Sequence, residues 1–169
     1  MSPARRSAPA LLALAALAMP VAACELVLSE HRSGRELLRL PLDTAQPAMR
    51  IAFVHSVLGT PVVDLYHWRA DPAKPWPGAP LHAHVVQERF EGEGYGLPQA
   101  AAAGERLERD GAGWRLSLDR PVVPLVVRPL PAQQMRLLGP GEPVLLASLS
   151  AQAIEFTARD CPVAVAAAA

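Results

Sequence analysis

Between Met49 and Val57 apolar and polar positions alternate. Met49, Ile51, Phe53, His55 and Val57 fall on one face, and Arg50, Ala52, Val54 and Ser56 on the other. A period of two is the pattern of a half-buried strand. Gly59-Thr60-Pro61 ends this run, and Val62–Trp68 forms the next strand. Upstream, Glu25–Ser29 and Glu36–Leu42 flank a turn at His31–Gly34 and read as a hairpin. Downstream, Leu81–Phe90, Trp114–Leu118, Val122–Arg128, Met135–Leu138, Val144–Leu149 and Ala153–Ala158 are further short strands. Prolines at 121, 124, 129 and 131 put the Val122 segment on a sheet edge. Asp71–Pro80 holds four prolines and a glycine and reads as an irregular surface loop. Gly92–Pro98 is a glycine-rich turn, and Ala100–Gly104 a short helical turn. Turn signals every 8–12 residues, roughly, predict an all-β fold: a single small β-sandwich or partly open barrel of about 8–10 short antiparallel strands.

The two ends of the chain depart from this pattern. Residues 1–23 carry Arg5-Arg6, then an apolar run from Ala8 to Met19, then small residues up to Ala23. That is the layout of a secretory signal peptide, and the run is shorter than the ~20 residues a membrane-spanning helix needs. The expected organisation is a signal at 1–23, one β-rich domain at 24–160 and a flexible tail at 161–169. The chain has 169 residues, enough for one ordinary domain. Sixteen basic residues balance sixteen acidic ones, and loss of Arg5 and Arg6 leaves fourteen against sixteen, a net charge of −2. This balance argues against a nucleic-acid partner. The expected location is the periplasm, free or tethered to a membrane. Cys24 and Cys161 offer two exclusive routes. Val21-Ala22-Ala23-Cys24 resembles a lipoprotein box, which would make Cys24 a lipid anchor and the protein's one attachment to a membrane. Export equally suits a Cys24–Cys161 disulfide.

Three groups of residues could carry chemistry. His55 shares its face with Ile51 and Phe53, so it is either a core histidine satisfied by hydrogen bonds or an imidazole presented at a strand end. Ser56 leaves the opposite face and does not pair with it as a nucleophile. His82 and His84, two apart on a strand, point the same way and could share a divalent metal with Glu88, with His55 or His67 as a further ligand. The same pattern also suits a solvated polar edge. Gly94, Gly96, Leu97 and Pro98 belong to a turn that either approaches a ligand or needs positive φ. It lacks the sequence of a phosphate-binding loop.

His55-Ser56-Val57, Thr60-Pro61-Val62, the acid Asp64, then Phe90 and Gly94-Tyr95-Gly96-Leu97-Pro98 together resemble domain-of-unknown-function family 1850. Leu40-Pro41-Leu42 also fits, and the resemblance spans about 25–158. Leu58-Gly59 departs from the polar pair often found after the His-Ser-Val. The resemblance implies a small exported protein associated with tripartite ATP-independent periplasmic (TRAP) transporters, with the permease or its TAXI-type solute receptor as partner. It brings no catalytic residues and no cofactor. The expected function is a non-enzymatic accessory or binding module, with His55, Ser56, Thr60, Pro61, Asp64 and the Gly94–Pro98 turn as binding candidates. The alternatives are a metal-binding protein using His82 and His84, and a hydrolase with His55 as general base.

Overall fold

A computed structural model describes residues 24–71, 79–139 and 141–162. The signal at 1–23, most of the proline-rich loop at 71–80 and the end of the tail lie outside the described residues. Among the described residues eleven strands form two antiparallel sheets and no barrel closes, so the sandwich is the fold.

The smaller sheet has the order β2-β1-β11-β8, from β1 (Glu25–Glu30), β2 (Glu36–Pro41), β8 (Leu125–Val127) and β11 (Ile154–Arg159). The larger has the order β10-β9-β3-β4-β5-β7-β6. Its strands are β3 (Ala48–Val54), β4 (Pro61–Ala70), β5 (Leu81–Phe90), β6 (Arg106–Asp110), β7 (Gly113–Val122), β9 (Arg136–Leu138) and β10 (Val144–Leu145). Leu26, Leu28, Leu125, Ile154 and Phe156 of the small sheet join one core with Met49, Ile51, Tyr66, Trp68, Leu116 and Leu137 of the large one. Burying side chains of this size contributes about 1.5–3 kcal/mol each.

Several expected boundaries move, each for a local reason. The alternating run stops at Val54, so His55 lies in a turn and Val57, expected on the apolar face, is 63% exposed. The expected Trp114 and Val122 strands are divided differently. β7 continues to Val122, and the chain then crosses at Val123-Pro124 to enter the other sheet as β8, an edge strand. β6 carries a single apolar residue, Leu107, and no apolar alternation announces it. Charges hold it instead: Glu108 bonds Arg115 of β7, and the Arg109 guanidinium lies 4.0 Å above the Trp114 ring. Charged edges of this kind resist pairing with other chains. Val144–Leu149 yields a strand for only two residues, because β9 is three residues long and pairing ends at Leu145–Arg136. The chain then closes one helical turn, α1 (Leu146–Leu149), with Leu146 fully buried. Ala100–Gly104 forms a plain turn rather than a helical one.

β5 contains the irregularity that matters most. Against β4, the pairing runs His84–His67 and Val85–Tyr66, then jumps to Gln87–Leu65 and Glu88–Asp64. Val86 is an extra residue, a β-bulge. Before it, odd-numbered residues face the core (Ala83 and Val85 are buried); after it, even-numbered ones do, and Phe90 is buried.

Cys24, at the start of β1, is bonded to Cys161, just beyond β11. Of the two routes for Cys24 the structure takes the disulfide, and a sulfur so bonded cannot also carry a lipid. The bridge closes a loop with a sequence separation of 137, for which the chain-entropy model gives about 4–5 kcal/mol. Replacing both cysteines by serine is therefore expected to lower unfolding stability by 2–5 kcal/mol, roughly, measured by denaturant titration. The intact mass of the oxidised protein should rise by two hydrogens on reduction; an unchanged mass would refute the bridge.

Candidate functional site

The His55 turn is built by the histidine itself. Its backbone N–H donates to Thr60 O at 2.8 Å, and Gly59 N–H donates back to His55 O at 2.9 Å. The backbone N–H groups of Val57 and Leu58 donate to His55 Nδ1 at 3.3 and 3.2 Å. An Nδ1 that accepts two amides carries no proton, so the proton of the neutral ring sits on Nε2. Histidine at this position is both the organiser of the turn and a donor left over on a residue that borders a cleft.

The glycine-rich turn is tied to the same place. Thr60 Oγ1 donates to Glu91 O at 2.8 Å. A Cβ on Gly92 would come within 3.1 Å of Leu58 Cδ1, so the two turns pack against each other at that point. Gly94, Tyr95 and Gly96 have φ of 82°, 50° and 90°, a left-handed run that glycine allows on either side of the tyrosine. The run turns the chain back so that Leu97 N–H bonds Gly94 O at 3.1 Å and the Leu97 side chain enters the core. Tyr95 is left 72% exposed.

Two carboxyl groups lie beneath these turns. Asp64 of β4 shares its face with the buried Val62, Tyr66 and Trp68. Glu88, turned inward by the bulge at Val86, is directly opposite it on β5. Side chains so placed are about 5 Å apart at Cβ. The row across the sheet reads Ile51, Asp64, Glu88, Leu116, and the next row Phe53, Val62, Phe90, Trp114. The acids thus occupy the middle of an apolar face. Tyr66 hydroxyl donates to Asp64 Oδ2 at 3.2 Å. Burial, and then the negative charge of Glu88, push the Asp64 carboxyl up to about 7, against the Tyr66 hydrogen bond. Burial also raises Glu88; Arg120 opposes this and Glu105 adds to it. Arg120 itself is engaged, its Nε donating to Glu105 Oε1 at 2.6 Å. Paired acids with raised pKa values in a recess are the kind of arrangement that marks functional sites.

The recess is a cleft of about 280 Å³ lined by Phe53, His55, Ser56, Val62, Asp64, Glu88, Gly96, Leu97, Pro98 and Gln133. Six of the expected binding residues therefore meet: His55, Ser56, Asp64, Gly96, Leu97 and Pro98. Thr60 and Gly94 stand behind the wall and shape it through the hydrogen bonds above. Pro61 starts β4 and lines a different recess, beside Val63 and Arg89. Glu88, Phe53 and Gln133 join the site without having been expected there. Gln133 arrives on a single 3₁₀ turn, Pro131–Gln133, whose opening proline is its only sequence signal.

The histidine pair is elsewhere. His82 and His84 face the outside of the large sheet, opposite Arg69 and His67 of β4. The shared face expected for Glu88 is lost at the Val86 bulge, which sends its carboxylate to the inner side. His84 Nδ1 is 2.7 Å from Asp119 Oδ1, and Arg69 Nη1 is 2.5 Å from Asp119 Oδ2. Burial, then the Arg69 charge, lower the pKa of His67, with Asp119 opposing. Among the described residues no three histidine, cysteine or acidic groups are arranged to hold a metal ion.

A family model described as Domain of unknown function (DUF1850) matches residues 49–145, more than half of the 169-residue chain, and every residue that lines the cleft lies within that span. No curated protein and no solved structure matches the chain.

The acid pair makes stability depend on pH. Asp64 binds its proton more tightly folded than unfolded, so its contribution is intact below about pH 4 and is lost as pH rises toward 7. Moving a carboxyl from 3.8 to about 7 corresponds to roughly 4 kcal/mol, or about 2 once solvent screening at an open cleft is allowed for. Asp64→Asn keeps an acceptor for Tyr66 and removes the charge. It is expected to be about 2 kcal/mol more stable than the parent near pH 8 and indistinguishable near pH 4, by denaturant titration. Equal pH slopes in the two proteins would refute the account.

Proposed function

From the premise that the chain belongs to the Domain of unknown function (DUF1850) family, we propose that it is a non-enzymatic, exported binding module, an accessory to a TRAP-type solute transporter. One observation carries the binding reading. His55, Ser56 and Asp64 meet Gly96, Leu97 and Pro98, from a distant part of the chain, in one cleft. The cleft is at the small end of the usual range for ligand pockets and mixes apolar walls with a few polar groups, as binding sites do. Two features favour binding over hydrolysis. His55 Nδ1 is occupied in holding the turn, and among the described residues no carboxylate is hydrogen-bonded to the ring as in a catalytic pair. The disulfide suits the oxidising space outside the cytoplasm, and among the described residues no helix is long and apolar enough to cross a membrane.

The partner-facing surface is the rim of the cleft. Val57 and Tyr95 protrude from the two turns, 63% and 72% exposed. Exposed apolar residues around a polar recess are the anatomy of an interaction site. A tagged protein drawn from solubilised membranes is expected to bring the permease or the solute receptor with it. The double variant Val57→Asp/Tyr95→Asp should lose that capture while keeping its fold by circular dichroism. Failure of the parent protein to recover either subunit would remove the transporter link.

A further inference from the structure

The chemistry of the cleft says more than that something binds. We infer that its ligand carries an organic ammonium group, which sits against Asp64 and Glu88 while the rest of a small molecule lies on Phe53, Val62 and Leu97. This deepens the binding reading above and rests on it.

The argument begins with the charges that face the site from each element around it. Asp64 comes from β4, Glu88 from β5, Arg120 from β7 and Glu105 from the segment before β6; Tyr66 is a neutral donor to Asp64. Arg120 is held by Glu105, with Nη2 at 2.5 Å from Oε1. Arg120 still draws the Glu88 pKa down, but with Glu105 counted the ionised set retains an excess of two negative charges. His55 borders the cleft with its Nδ1 already committed to backbone amides. Among the described residues no lysine or arginine lines the cleft.

The cavity is what turns this excess into a site. Two carboxylates beside apolar walls lose hydration that a bound cation can replace. A hard divalent ion is a poor match, since it requires six or more oxygen ligands and, among the described residues, no three histidine, cysteine or acidic groups are placed to hold one. An ammonium group needs only two or three acceptors, and its alkyl body suits Phe53, Val62 and Leu97. Ser56, His55 and Gln133 add polar atoms to the same lining. They give such a ligand further hydrogen-bonding partners.

The test uses the purified, disulfide-bonded protein and three probes of one size: n-butylammonium, butyrate and n-butanol. Binding is read by NMR titration of backbone amides. Near pH 8, n-butylammonium is expected to shift the signals of residues 53–64 and 94–98, and the other two probes to leave them unmoved. Near pH 5, where Asp64 holds a proton, the affinity should fall by about tenfold or more. Asp64→Asn and Glu88→Gln should each weaken binding by about tenfold, and His82→Ala, on the outer face, should not change it. Preference for butyrate or butanol, or n-butylammonium binding unchanged in the Asp64→Asn/Glu88→Gln double variant, would overturn the ammonium assignment but leave the cleft a binding site. Displacement of n-butylammonium by calcium or magnesium at equal concentration would overturn it in favour of a metal ion. No response to any probe would overturn it as well, whereas the transporter link stands or falls on capture of the membrane subunits.

Discussion

One extra residue in one strand arranges this protein. Val86 interrupts the pairing of β5 with β4, and every side chain after it changes face. Phe90 enters the core because of that change, and so does the carboxyl group of Glu88. Without the bulge, Glu88 would stand outside with His82 and His84, and Asp64 would face an uncharged neighbour. The burial of Phe90 helps hold the register that brings the acids together, so the fold and the site draw on the same irregularity. The acids cost stability when both are ionised. That cost is tolerated because the apolar rows on either side of them are well filled.

The cleft exists because the two sheets are unequal. Four strands cannot cover seven. The inner face left over near the ends of β3 and β4 is closed in part by the glycine-rich turn, with Leu97 as its plug. Thr60 and Gly92 fix the distance between this turn and the one at His55. The walls of the cleft are therefore two short turns braced against each other above a rigid floor.

Much of this was legible in the residues. Alternation located most of the strands, because each has one buried face and the period of two survives in the sequence. His55 and the Gly94–Pro98 turn were visible as candidates, since a histidine at a strand end and a cluster of glycines each need a reason, and Asp64 was marked by the family resemblance alone. Three things were hidden. β6 is held by charges at an edge and shows no apolar period. The strand at Val144 was cut short by the length of its partner, a property of another segment. The partnership of Asp64 with Glu88 depended on a bulge, and a single extra residue leaves no local mark: counting by twos across Val86 gives the wrong face. His55 was weighed as a core residue or a presented imidazole, and the turn it organises through Nδ1 belongs to neither picture.

The cross-link between Cys24 and Cys161 turns almost the whole domain into a covalent ring. A protease that cuts one exposed loop opens this ring without releasing a fragment. The two pieces stay joined through sulfur as well as through the sheet they share, and they part only on reduction and unfolding. Damage to a surface loop in a protease-rich compartment is thereby kept from becoming loss of the domain, because the severed strands remain at the high local concentration that pairing needs.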